Sequence, residues 1–341
     1  MKRKLDWKRW LLWILALVVG GYVLYQYNLA QGIDSRPQEY DFAVSDTSSI
    51  DKIVIWDKTP DTVVLERKEK IWIVNGQHRA RKDAVEVLLE TLFRVKLRNF
   101  PQASALPNIL SGMSTYGREV QVFSRGEVIK HFFVGTETPD MLGTYMMIRG
   151  ADQPYATYIP GFNGYLSSRF FVREDLWRDR TLFGIDNKSL RMAQIRYPDS
   201  AQANFRLTQA SDGSYALYHV NLDGKKTVWI ESVREESVRV YSAAFRSLSY
   251  EGMIIPSDGI FKKQDSLRAT QPAFLLDVSS ENQSFSLVAY HVKADPDAVG
   301  PDGLPLTFDP DRFYAFLSDG RFVLIQRHGF QQALVSLRSF Y

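Results

Sequence analysis

The stretch "GFNGYLSSRF", residues 161–170, returns as "GFQQALVSLR", residues 329–338. Gly161, Phe162, Leu166 and Ser168 recur as Gly329, Phe330, Leu334 and Ser336, at a constant offset of 168. Two turn-and-packing segments half a chain apart point to a fold built twice. The reading holds further upstream. Val85, Leu88, Leu92 and Val95 recur at helical spacing and predict an amphipathic helix over residues 82–96. At an offset of 153 the same stripe is Val238, Tyr241, Phe245 and Leu248.

Short β-rich runs flank both helices. In the first half they are "KIVIW" (52–56), "TVVLER" (62–67), "KIWIV" (70–74), "VQVFS" (120–124), "VIKHFFV" (128–134), "TYMMI" (144–148) and "YATYI" (155–159). Asn75-Gly76 closes "KIWIV" with a strong turn signal. In the second half come "AQIRY" (193–197), "NFRLTQ" (204–209), "TVWIE" (227–231), "AFLLDV" (273–278), "FSLVAYHV" (285–292), "FYAFL" (313–317) and "RFVLIQ" (321–326). Trp229 falls in the place of Trp72, Phe313 in that of Tyr145 and Phe316 in that of Ile148. The offset grows by 15 between helix and last hairpin. The Pro/Gly/Asp-rich stretches "IIPSDGIFKKQDS" and "KADPDAVGPDGLPLTFDPD" can absorb the difference as surface loops. The expected fold class is α+β: two related lobes of mainly antiparallel sheet, each with one main amphipathic helix. Lobe 1 spans residues 42–175, a connector 176–189, and lobe 2 residues 190–341.

The N-terminus reads differently. Residues 10–28, "WLLWILALVVGGYVLYQYN", carry no charge. As a helix they span about 28 Å, close to the hydrocarbon thickness of a bilayer. Trp7, Trp10 and Trp13 at one end and Tyr22, Tyr25 and Tyr27 at the other match two aromatic belts. Five basic residues precede the segment in the tail 1–9, against Asp6 alone. That bias keeps the N-terminus cytoplasmic and exports the remainder past a linker, residues 29–41. The expected location is the inner membrane, single pass, with a periplasmic C-terminal region. The competing reading is a cleaved signal peptide, but a cut after Ala30 puts Asn28 where a small residue is wanted. Ala16 and Gly20 are candidates for helix packing in the membrane.

The chain's net charge is +3, and the tail alone carries +4. The exported part is therefore near neutral, with no electrostatic case for nucleic acid. With no cysteine, disulfides, thiolate nucleophiles and Cys-based metal sites are excluded. There is no P-loop, no G-x-G-x-x-G and no G-x-S-x-G, so neither a nucleotide nor another cofactor is expected. The five histidines are scattered, and His131 and His291 lie inside predicted strands. Asp295, Asp297 and Asp302 fail the EF-hand template at Val299 and Leu306. Ser49 and Lys52 form S-x-x-K without its partner motifs. Arg169, Arg173, Arg178 and Arg180 cluster at the connector and are candidates for partner docking, against a mixed-charge solvated face as the plainer reading. Trp72 and Trp229 are expected in the core.

"FAVSDTSSIDKI" (42–53), "LGTYMMI" (142–148), "PYATYIPGFNGYL" (154–166) and "WRDRTLF" (177–183) resemble domain-of-unknown-function family 4340. Its members are mostly membrane-anchored envelope proteins of Bacteroidetes-type bacteria. The resemblance covers roughly residues 42–197 and implies an extracytoplasmic location near ABC-type export or gliding-related systems. It offers no catalytic residues. Three functions follow as expectations. The first is a non-enzymatic binding or scaffold protein, anchored in the bilayer through residues 10–28 and attached to other inner-membrane or envelope proteins. The second is an envelope hydrolase for glycan or peptide, with carboxylates in a cleft between lobes. The third is peptide capture by strand addition.

Overall fold

The structure is a computed structural model that describes residues 15–22, 39–184, 190–230, 233–246 and 248–341. The basic tail and most of the expected membrane span and linker lie outside the described residues, as do residues 185–189 of the connector. Residues 15–22 are helical and exposed. Among the described residues no helix is long and apolar enough to cross a membrane.

The chain divides into two compact units, residues 1–179 and 180–341. In the first, β1 (Ile50–Trp56), β2 (Thr62–Lys68), β3 (Ile71–Val74) and β4 (His78–Arg79) make a meander. Helix α1 (Lys82–Arg94) follows, then β5 (Lys96–Asn99) and helix α2 (Leu106–Tyr116). The unit continues with β6 (Arg118–Ser124), β7 (Glu127–Glu137), β8 (Thr144–Ile148), β9 (Tyr155–Tyr158) and the one-turn α3 (Glu174–Trp177). One antiparallel sheet takes the order β4-β3-β2-β1-β6-β7-β8-β9-β5.

The second unit opens with β10 (Thr181–Phe183), then β11 (Leu190–Arg196), β12 (Phe205–Gln209), β13 (Tyr215–Val220) and β14 (Lys226–Ile230). Helix α4 (Glu235–Ala243), β15 (Leu248–Ser249), β16 (Gly252–Met253) and helix α5 (Gln264–Arg268) follow. The chain ends with β17 (Phe274–Ser280), β18 (Ser284–Lys293), β19 (Phe308–Leu317), β20 (Phe322–Gln326) and α6 (Arg327–Phe330). Its large sheet runs β14-β13-β12-β11-β17-β18-β19-β20-β16, the first order strand for strand; β10 and β15 pair separately. Even an irregularity is shared: register shifts between Ile50 and Lys52 on β1 and between Leu190 and Met192 on β11.

In each unit the helix carries the chain from one sheet edge to the other. Nine strands at about 4.8 Å spacing would lie about 38 Å across if flat. The 13 residues of α1 span only about 20 Å. The first sheet therefore curls around its helix, and the apolar stripe fills the inside. Val85, Leu88 and Leu92 are buried against Ile53, Leu65, Val122 and Phe132. In the second unit Val238, Tyr241, Phe245 and Leu248 are buried with Ile195, Leu207, Leu276 and Leu287. All eight stripe residues found from sequence sit in these cores.

Two details of the sequence alignment shift. β13 is an additional strand that takes the place of β3, so "TVWIE" corresponds in sheet order to the two-residue β4, not to "KIWIV". Trp72 is partly buried beside the first core, with the Arg67 guanidinium 4.9 Å above its ring. Trp229 lies on an edge strand, 58% exposed, and is not a core residue. Second, β8 maps onto β19 at an offset of 169. Ile148 faces Phe132 as Leu317 faces Leu287. A one-residue slip changes the face a side chain occupies. Phe316 accordingly stacks on Phe322, centroids 4.3 Å apart, in a separate cluster with Ile254 and Tyr290. From β9 onward the offset of 168 holds. Gly161 is a turn residue at φ +81°, whereas Gly329 lies within α6.

Leu88 is fully buried, whereas Val87 on the same helix is 40% exposed. Leu88→Ala is expected to destabilise the first unit by about 2–5 kcal/mol. Val87→Ala should change it by no more than about 0.5 kcal/mol. Urea denaturation, with amide exchange to assign the effect to a unit, reads both.

Candidate functional site

The corresponding edges of the two sheets are finished differently. In the first unit β3 turns through Asn75 and Gly76, both at positive φ, into the short β4. Asn75 clamps the turn by accepting from the Val64 amide at 2.7 Å through Oδ1. The outer side of β4 is then covered by the chain itself. Ala80 and Arg178 form an antiparallel bridge. The Asp179 amide donates to the Arg79 carbonyl at 2.7 Å, and the Arg81 amide to the Trp177 carbonyl at 2.7 Å. Trp177 anchors this cover. It is fully buried, its indole N–H donates to the Phe171 carbonyl at 2.8 Å, and its ring lies 4.2 Å from that of Phe171. Glu174 latches it from the side, accepting from Arg178 at 2.6 Å and from Asn75 at 2.8 Å, with His78 3.7 Å away.

The second unit begins the same closure and leaves it open. The Arg234 amide, at the start of α4, donates to the Phe340 carbonyl at 3.0 Å, as Arg81 does to Trp177. Phe340 is buried against Phe205 and Tyr241. Among the described residues no segment then pairs with the outer side of β14. The strand is exposed on both faces, with Val228 at 55% and Trp229 at 58%. Its inner side is well fixed. Tyr218 lies opposite Trp229, the Lys226 ammonium sits 3.9 Å over the Tyr218 ring, and Thr227 Oγ1 is 2.6 Å from His219 Nδ1. An ordered strand with a free outer edge offers a row of backbone donors and acceptors to another extended chain.

The residues singled out from sequence are placed as follows. Arg173 pairs with Asp175 at 2.7 Å, and Arg178 with Glu174. Arg169 lies half buried, donating to Thr91 Oγ1 at 2.9 Å, with its guanidinium 4.2 Å over Phe162. Arg180 offers its carbonyl to the Tyr250 amide. Within the first unit, Arg173 and Arg178 are thus each paired with a carboxylate of their own segment. Ala16 and Gly20 lie on the exposed helical residues 15–22, and nothing described comes within 4 Å of a side chain built at Gly20. The Ser49 hydroxyl donates to the Asp46 carbonyl while Lys52 sits over Phe123. His131 contacts Glu119 at 2.6 Å, and Arg149 shares that carboxylate. The part-buried carboxylates Glu119, Glu174 and Asp277 each face an arginine, not one another. Among the described residues no three His, Asp or Glu side chains are grouped to hold a metal. No known protein family, curated protein or solved structure matches this chain.

Sequence reasoning missed the open edge because it missed β13. Without "YALYHV" as a strand, "TVWIE" looks interior. The signal available was the alternation in residues 215–220 and the turn around Gly224, which has φ +82°.

Burial alone raises the Glu174 carboxyl, but hydrogen bonds from Arg178 and Asn75 outweigh it and hold the group below the usual glutamate range. The latch is therefore present above the ordinary value of about 4.3 and is lost as pH falls through the lowered one. Amide exchange at Arg81 and Asp179, relative to intrinsic rates, is expected to accelerate between about pH 5 and about pH 3. Glu174→Gln should flatten that dependence. An unchanged profile in the variant would remove Glu174 as the latch.

Proposed function

We propose that this protein is a membrane-anchored envelope scaffold that holds a partner protein by taking an extended segment of it onto β14. The carrying observation is the contrast between edges. In the first unit the edge is closed by residues 177–179 of the chain itself. The equivalent edge in the second unit presents an ordered, exposed strand bearing Val228 and Trp229. The first unit thus supplies a template for the occupant: a short antiparallel segment next to a large buried aromatic side chain.

The same strand order and the shared register shift support reading the two units as repeats of one ancestral lobe. A scaffold with one sealed and one open copy can use the first for rigidity and the second for binding. The basic tail, the uncharged run at residues 10–28 and its aromatic ends support a single-pass inner-membrane anchor with the units in the periplasm. The resemblance to domain-of-unknown-function family 4340 adds an export, gliding-related or envelope-assembly complex as the setting, with this chain as an accessory subunit.

The test uses the full-length protein in the membranes of its own cells, with a photo-crosslinking residue at position 228. A discrete crosslinked membrane or envelope protein is expected, recovered in stoichiometric amount on affinity purification. Val228→Lys with Trp229→Lys places charge on the free edge and should reduce that recovery at least tenfold, while the circular dichroism stays unchanged because both side chains are exposed. Absence of a stoichiometric partner, or recovery indifferent to the two lysines, would overturn the reading.

A further inference from the structure

The second unit contains a feature that strand addition does not use. On the face of its sheet away from the main core, residues 254–271 fold back over β18 and β19. They pack only in part, through Ile260, Phe261 and Leu267 beside Tyr290, Phe316 and Phe322. Next to this contact a pocket of about 580 Å³ remains. That size falls within the range of small-molecule sites.

The pocket has a directional chemistry. Its floor is a stacked pair, His291 on Phe308, with ring centroids 4.5 Å apart and planes at 21°. Its wall is apolar, made by Ile260, Leu267 and the ring of Tyr314. At the rim stand Lys263 and Lys293, both exposed, and among the described residues neither has an ion-pair partner. The one rim carboxylate, Asp199, already accepts from Gln271 Nε2 at 2.5 Å. Burial and the neighbouring Arg327 guanidinium hold the His291 pKa below the usual histidine value. The ring therefore acts at neutral pH as a flat uncharged surface, not as a third cation.

The first unit shows that the pocket is not forced by the architecture. Thr136 lies two residues past Val134 on β7, as His291 lies two past Ala289 on β18. There the covering helix α2 sits directly on the strand. A side chain built at Gly112 would lie 3.7 Å from Thr136, and one built at Gly135 would collide with Met113 at 2.5 Å. Two glycines close the gap in that unit. In the second unit an aromatic floor and two unpaired lysines occupy the corresponding region, and the gap stays open.

We infer that this pocket is a binding site for a small planar molecule with one anionic group, its ring system on His291 and Phe308 and its acid between Lys263 and Lys293. The inference stands apart from the partner proposed for β14, which lies at the sheet edge.

The probe is naphthalene-2-sulfonate, titrated calorimetrically into full-length protein in nanodiscs with empty nanodiscs as blank. Naphthalene-2-methanol, the same ring system without charge, is the control. Saturable binding at one site per chain is expected for the sulfonate, with the alcohol at least fivefold weaker. Phe308→Ala should weaken the sulfonate at least tenfold, and so should Lys263→Glu with Lys293→Glu. All three side chains are exposed enough for the unit to fold without them, which amide exchange in β18 and β19 checks. No saturable binding overturns the inference. So does equal affinity for the two probes, or affinity indifferent to either variant. In each case the result leaves crosslinking at β14 untouched.

Discussion

One helix laid inside a curled sheet governs each unit. The chain leaves the sheet at one edge strand and must re-enter at the opposite edge, and in the first unit α1 and two short links are all it has to do so. A flat nine-stranded sheet is wider than that connection. The sheet closes around the helix until Val85, Leu88 and Leu92 meet residues from strands on both sides of the centre. Curl, helix position and core composition are thus one condition. It also explains why the stripe survives in the second unit while its chemistry changes. Tyr241 and Phe245 replace Leu88 and Leu92, and the core answers with Phe205 and Phe340 packed edge-on against Tyr241.

This constraint made part of the fold legible in the sequence. The stripe has a helical period that no strand shares, and its repetition fixes the two halves against each other. What stayed hidden was hidden for local reasons. β5 follows α1 after a single residue, so "KLRN" reads as helix tail. In α2, Pro107 and Gly112 argue against a helix by propensity. Yet Pro107 sits in the first turn, where it is tolerated, and Gly112 allows close approach to Thr136. β13 was lost because two tryptophans three residues into similar runs suggested a false pairing. The slip between β8 and β19 has the same character. "YMMI" and "YAFL" align at an offset of 169, but the nearby Gly-Phe match at 168 pulls the comparison one residue aside. Neither candidate site had a linear signature. The open edge depends on what fails to pair with β14, and the pocket brings together residues 199, 260–271, 291–293 and 308–314.

The charged residues illustrate a related limit. The sequence places Arg169, Arg173, Arg178 and Arg180 around the connector, which suggests a docking face. The structure shows how many of them are spent locally. Arg173 turns to Asp175 two residues away and Arg178 to Glu174 four residues away. Such partly solvated pairs between near neighbours in sequence contribute little to stability, about 1 kcal/mol each. Their effect here is geometric. Glu174 and Arg178 hold the segment that covers β4.

The two units share one strand order and are finished unequally. At the edge, Trp177 and Phe340 occupy matching positions, each accepting through its carbonyl from the first amide of the helix. Beyond Trp177 the chain continues along β4 and satisfies its outer side. Gly112 and Gly135 let α2 settle onto β7, whereas the corresponding β18 carries His291 beside Phe308 under a shorter helix. Sealing an edge and removing a void both add stability, and a unit shaped for stability alone would keep both. The second unit keeps neither, although its core is at least as aromatic as the first. Leaving backbone groups of an ordered strand uncovered invites unwanted pairing, which proteins ordinarily suppress with edge charge, proline or a bulge. β14 has Lys226 at one end, but Val228 and Trp229 at its centre. An edge of that composition is a liability unless something normally lies against it, and that is the physical argument for an occupant.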